Sequence, residues 1–152
     1  MKLLLIGRSG QLGWELQRTC MTLGEVIALD YPEIDLAQPA ALRELIQTVK
    51  PNILLNSAAY TNVDQAEREV KLARQVNSVA PGVMAEEMKK LGGALIHYST
   101  DYVFSGKSRI PYTEEDKPNP INAYGESKLA GDEAVRAAGG IALIFRTSWV
   151  YS

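Results

Sequence analysis

At 152 residues, 46% hydrophobic and 22% charged, the sequence has the make-up of one ordinary globular domain, which excludes disordered and fibrous classes. A net charge of -2, with acidic and basic residues interspersed, leaves no electrostatic footprint for nucleic acid or an anionic membrane, so the expected partner is a small molecule. Cys20 is the only cysteine and the apolar stretch Leu3–Ile6 is too short to cross a bilayer. We therefore expect a cytoplasmic protein with no disulfide, no metal site and Cys20 as a small buried hydrophobe.

The first apolar run of strand length, Lys2–Ile6, leads into Gly7-Arg8-Ser9-Gly10-Gln11-Leu12-Gly13, which opens a helical pattern over Gln11–Leu23. Glycines at every third position between a strand and a helix allow a sharp turn. They also let backbone N–H groups meet a pyrophosphate at the positive end of the helix dipole, and Gly13 lets helix and strand approach closely. The second run, Val26–Leu29, ends at Asp30, where a carboxylate can accept from adenosine ribose hydroxyls and favour NADH. Arg8, inside the turn, can face a ribose phosphate and favour NADPH, so both cofactors are expected with modest discrimination.

A short extended piece at Ile34–Leu36 is expected to add an inner edge contact, and Pro39 marks the start of a helix over Ala40–Val49. The third run, Ile53–Asn56, closes in the small residues Ser57-Ala58-Ala59 before Tyr60, leaving room for a ligand across the strand end. A helical pattern over Val63–Leu91, broken into two, ends at Gly92-Gly93, and the fourth run, Ala94–Tyr98, continues into Ser99-Thr100-Asp101-Tyr102-Val103-Phe104. Ser105–Pro120, with three prolines, reads as a long functional loop. A helix over Ala123–Ala138 and a fifth run, Ala142–Phe145, complete the chain. This strand-helix alternation gives an α/β fold, a Rossmann-type doubly wound parallel sheet covered on both faces.

Tyr124 and Lys128 stand four residues apart and share one helix face. Hydride reduction of a ketone develops negative charge on oxygen. Tyr124 can supply the proton, with the Lys128 cation stabilising its phenolate, and Thr100 can hydrogen-bond the same oxygen. His97 reads as a packed core histidine, and Glu15, Glu126 and Asp132 as solvated helix residues.

The glycine turn, Ser99–Phe104, Tyr124-Gly125-Glu126-Ser127-Lys128-Leu129-Ala130-Gly131 and Arg146-Thr147-Ser148-Trp149-Val150-Tyr151 together resemble the dTDP-4-dehydrorhamnose reductase family of extended short-chain dehydrogenases. The resemblance covers the whole chain. It implies NAD(P)H-dependent reduction of the C4 ketone of dTDP-4-dehydro-L-rhamnose, for cell-surface polysaccharide, with Thr100, Tyr124 and Lys128 catalytic. It implies Asp101 and Trp149 near the sugar nucleotide, although Trp149 also reads as a core aromatic where the last strand leaves the sheet. Gln11, Leu12, Asp30, Asp35, Leu36, Ala58, Ala59 and Tyr60 are implied to line the cofactor, beside Gly7, Gly10 and Gly13. Family members continue into a smaller substrate-binding region, so residues 1–152 are expected to be the NAD(P)-binding domain, with a possible homodimer. Rival readings are a non-catalytic relative such as a methionine adenosyltransferase regulatory subunit, and a sugar-nucleotide epimerase or dehydratase.

Overall fold

In the computed structural model, which describes residues 1–151, the apolar runs form five strands: β1 (Lys2–Ile6), β2 (Glu25–Leu29), β3 (Ile53–Asn56), β4 (Ala94–Thr100) and β5 (Ile141–Thr147). All pair in parallel, in the order β2-β1-β3-β4-β5. The fold is thus the expected doubly wound sheet. Leu3, Leu4, Leu5 and Ile6 are all buried, because β1 is an interior strand with helices on both faces.

Alternate residues serve two cores. Leu4, Ile6, Leu54 and Leu95 point to the layer of α2 (Pro39–Val49), α5 (Ala80–Leu91) and α6 (Ala123–Ala138). Leu3, Leu5 and Leu55 point to α1 (Gln11–Cys20), where Cys20 is buried among them as expected. On β5 the outward positions Ile141, Leu143 and Phe145 are exposed.

Two sequence expectations are corrected. Ile34–Leu36 is not extended: Ile34 N–H donates to the Asp30 carbonyl at 3.1 Å, closing a turn that drops Ile34 and Leu36 into the core. Asp132 is not solvated but fully buried, because β5 brings Arg146 Nε to 3.1 Å from its carboxylate.

The long helical pattern breaks in two, as expected, into α3 (Val63–Ala66) and a second run from α4 (Val70–Arg74) to α5. That second run is joined by a π-helical turn at Gln75–Val79. The wide turn displaces backbone toward α6, and Gly131 makes the approach possible, since a Cβ there would stand 2.1 Å from the Asn77 carbonyl oxygen. Residues 105–120 carry neither helix nor strand, as expected. Phe104 and Tyr112 stack at 4.3 Å and fold this loop back over the end of β4.

Candidate active site

The strand order reverses direction between β1 and β3, the switch point at whose carboxyl end doubly wound sheets bind ligands. Gly7 leaves β1 with φ +96°, and a Cβ on it would lie 2.6 Å from Ala58 N. A Cβ on Gly13 would meet the Gly7 carbonyl oxygen at 1.8 Å, so α1 starts directly on the strand end only because both positions lack side chains. Ser57 Oγ donates to the Ile6 carbonyl at 2.8 Å and ties β3 to the same point.

A cleft of about 430 Å³ opens above these strand ends, within the range of small-molecule sites. Gly10, Gln11 and Leu12 form one wall, and Ala59 lies beside them. Thr100, Asp101, Tyr124, Lys128 and Trp149 form the other. Trp149 is 76% exposed, so it is not a core aromatic. Ser57, from the small-residue strand end, and Thr147, Ser148 and Val150, from the last motif, also line the cleft, whereas Thr61 and Val63 line it without any signal in the sequence.

The other expected cofactor residues are not among those that line this cleft. Asp30 Oδ2 accepts from Ser9 N–H at 2.8 Å and from the Ser9 hydroxyl, while Oδ1 accepts from Tyr31 N–H at 2.9 Å. Partial burial pushes its carboxyl up, but the Ser9 and Tyr31 hydrogen bonds and the Arg8 cation outweigh that and hold it below its ordinary value. Asp35 accepts from Ala37 N–H at 2.8 Å at the entry to α2, and Leu36 is buried in the core. Tyr60 donates its hydroxyl to Glu69 at 2.6 Å.

Thr100 caps the turn at Asp101–Val103 by accepting from Tyr102 N–H at 3.2 Å, and its hydroxyl donates to Asp101 Oδ1 at 3.2 Å. Asn122 caps α6 by accepting from Gly125 N–H at 2.7 Å, which fixes the helix start beside Tyr124. The Tyr124 ring lies edge-on to Tyr102 at 5.6 Å. Burial pushes the Tyr124 phenol above its ordinary value, Thr100 partly counters this, and Asp101 and Tyr102 add to it. The expected stabilisation of a phenolate by Lys128 does not govern here. Lys128 is 2% exposed, donates Nζ–H to the Tyr98 carbonyl at 2.7 Å, and is pushed down to about 8 by burial, with Asp132 opposing.

Sequence reasoning missed the residue that binds the two walls together. Asn77 accepts from Tyr60 N–H at 2.8 Å, and its Nδ2 donates to the Tyr60 carbonyl and to Ser127 Oγ, both at 3.0 Å. Ser127 donates in turn to the Tyr124 carbonyl at 2.7 Å. Glu15 pairs with Arg18, and Glu126 is exposed, as expected of helix surface residues. His97 is buried in the sheet, with Asn56 Nδ2 donating to its Nδ1 at 3.1 Å.

A family model described as the RmlD substrate binding domain matches residues 1–152. The chain is 48% identical to a dTDP-4-dehydrorhamnose reductase of Burkholderia thailandensis, over 100% of this chain and 51% of that protein. It superimposes with a TM-score of 0.96 on the crystal structure of a dTDP-4-dehydrorhamnose reductase of Clostridium acetobutylicum, at 38% identity over 100% of this chain and 55% of the other. A second, from Bacillus anthracis in complex with NADP, gives a TM-score of 0.93 and 36% identity over 99% of this chain and 54% of the other. The chain thus spans about half the length of the curated relatives it matches.

Proposed function

The chain belongs to the RmlD substrate binding domain family, and from that premise we propose that it is the dinucleotide-binding domain, residues 1–152, of an NAD(P)H-dependent sugar-nucleotide reductase. The reaction assigned to the full-length protein is reduction of the C4 ketone of dTDP-4-dehydro-L-rhamnose to dTDP-L-rhamnose. One observation carries the reading: a single cleft joins the glycine turn to Thr100, Tyr124 and Lys128.

The cleft fits a dinucleotide. The cradle formed by Gly7 and Gly13 has no room for a Cβ, and Gly10, Gln11 and Leu12 border the cleft at the start of α1, the helix end that favours a pyrophosphate. In this reading Asp30 accepts from the ribose hydroxyls, and Ala58, Asp35 and Tyr60 line the same cofactor. When bound, NADH or NADPH supplies the hydride.

Tyr124 then acts as the general acid. As a C–H bond forms at C4 and the carbonyl π bond opens, the phenol O–H breaks and its proton passes to the former ketone oxygen. The upward push on the phenol suits this direction, because the group stays protonated at neutral pH. Thr100 hydrogen-bonds the same oxygen and Lys128 the nicotinamide ribose. Asp101 and the exposed Trp149 ring flank the sugar nucleotide.

Stoichiometric consumption of added NADPH or NADH by the full-length protein with dTDP-4-dehydro-L-rhamnose is the expected result. An epimerase or dehydratase would retain its dinucleotide through turnover, and a non-catalytic relative would bind without turning over. Either outcome would overturn the assignment.

A further inference from the structure

Glu33 takes no part in the reading above, yet it holds both Arg8 of the glycine turn and the backbone of Asp30, the residue assigned there to the adenosine ribose. Its Oε2 accepts from Arg8 Nη2 at 2.8 Å and from Asp30 N–H at 3.3 Å. Arg8 is tethered on its other side, Nη1 donating to the Ala28 carbonyl at 2.8 Å. The cation of the glycine turn is thus held by one backbone bond and one carboxylate.

The two acids beside it are not equivalent. Asp30 is committed on both oxygens to Ser9 and Tyr31 and holds the turn in shape. Glu33 is exposed, and the Arg8–Glu33 side chains are 41% and 43% accessible, so the pair is hydrated and readily exchanged. A guanidinium presents the same planar fork to a phosphate as to a carboxylate.

We propose that Glu33 is a specificity-determining residue that competes with the phosphate on the adenosine ribose for Arg8. With NADH the Arg8–Glu33 pair stays closed beside the ribose hydroxyls. With NADPH the phosphate takes the Arg8 fork and Glu33 swings into solvent, so the cost of opening the pair tempers the preference for NADPH. This role rests on the dinucleotide site proposed above.

The test is titration of NADH and NADPH by nicotinamide fluorescence on the full-length protein, wild type beside Glu33→Gln, Arg8→Ala and the double variant. Glu33→Gln should tighten NADPH by about three- to tenfold and leave NADH within about twofold, the gain shrinking as salt rises. In the Arg8→Ala background most of that gain should vanish. An unchanged NADPH-to-NADH ratio in Glu33→Gln, or an equal gain with and without Arg8, would overturn the competition while leaving the dinucleotide site standing. Failure of the wild type to bind either dinucleotide would instead remove the site, and this role with it.

Discussion

Asn77 holds Tyr60 by both its N–H and its carbonyl, at 2.8 and 3.0 Å, from a π-helical turn seventeen residues away. Because the same amide reaches Ser127, and Ser127 the Tyr124 carbonyl, the segment after β3 and the start of α6 are tied together. Position at the level of the cleft is therefore set by a side chain that touches neither sugar nor nicotinamide in the reading above.

Asn77→Ala should leave the part-buried Tyr60 N–H and carbonyl and the buried Ser127 hydroxyl without this partner, at a cost of about 1 to 3 kcal/mol. It should also raise the KM for the dinucleotide more than it lowers kcat, since the cleft wall loosens but Tyr124 keeps its phenol. Urea unfolding and steady-state kinetics on the full-length protein check both halves. Wild-type stability with a reduced kcat alone would show that Asn77 acts on the chemistry and not on position.

Gly13→Ala places a Cβ 1.8 Å from the Gly7 carbonyl oxygen and 2.9 Å from Arg8 Cα, both backbone atoms that cannot swing aside. The turn must open, so dinucleotide affinity should fall by more than about tenfold, with overpacking costing about 1 to 3 kcal/mol. Gly92→Ala is the contrast. It sits at φ +67° with nothing within 4 Å, so it should cost about 1 kcal/mol of strain and leave dinucleotide affinity unchanged. Equal binding losses in the two variants would mean that general destabilisation, not the cradle, controls affinity.

Much of this was legible in the sequence for identifiable reasons. Parallel strands buried on both faces must be apolar throughout, so Lys2–Ile6 and Ile53–Asn56 announced themselves with the same boundaries that the structure gives. The spacing of Gly7, Gly10 and Gly13, and of Tyr124 and Lys128, encodes local geometry that neighbours in the chain dictate. Asn77 was invisible because its value depends on Ser127, fifty residues on, and on a widened turn that no periodicity reveals. Asp132 was misread for the same reason, since its partner Arg146 lies on another element. At Ile34–Leu36 the alternation mimicked a strand, but the apolar residues reach the core from a turn.

Tyr124→Phe should lower turnover at least about 100-fold in the full-length protein while leaving dinucleotide affinity nearly intact, the usual size of a general-acid contribution. The pH profile separates its role from that of Lys128. Tyr124 is pushed above its ordinary value and so remains an acid over the working range, whereas Lys128, near 8, loses its charge first. Turnover should therefore hold level to about pH 8 and decline above it as Lys128 deprotonates. A profile level to about pH 10 would show that the Lys128 charge is not needed.

His97 should make the protein sensitive to mild acid. Burial, reinforced by the Lys128 cation, pushes its imidazole from 6.5 down to about 3, so the folded chain refuses a proton that the unfolded chain accepts below pH 6.5. The unfolded state then binds more protons, and stability must fall as pH drops from 6.5 toward 3. Glu87, held down to about 2 by Lys90, Gln47 and Arg43, works in the same direction, but only below its unfolded value of 4.5. Between pH 6.5 and 4.5 the slope therefore belongs to the single histidine. One proton corresponds to about 1.4 kcal/mol per pH unit, so about 2 kcal/mol should be lost across that window. Urea midpoints measured at several pH values on wild type and His97→Gln should show the slope in the first and a level line in the second, whatever the absolute stability of the variant. A wild type whose midpoint does not move over that window would mean that the imidazole takes up its proton without unfolding, and that the β4 core admits water beside Lys128.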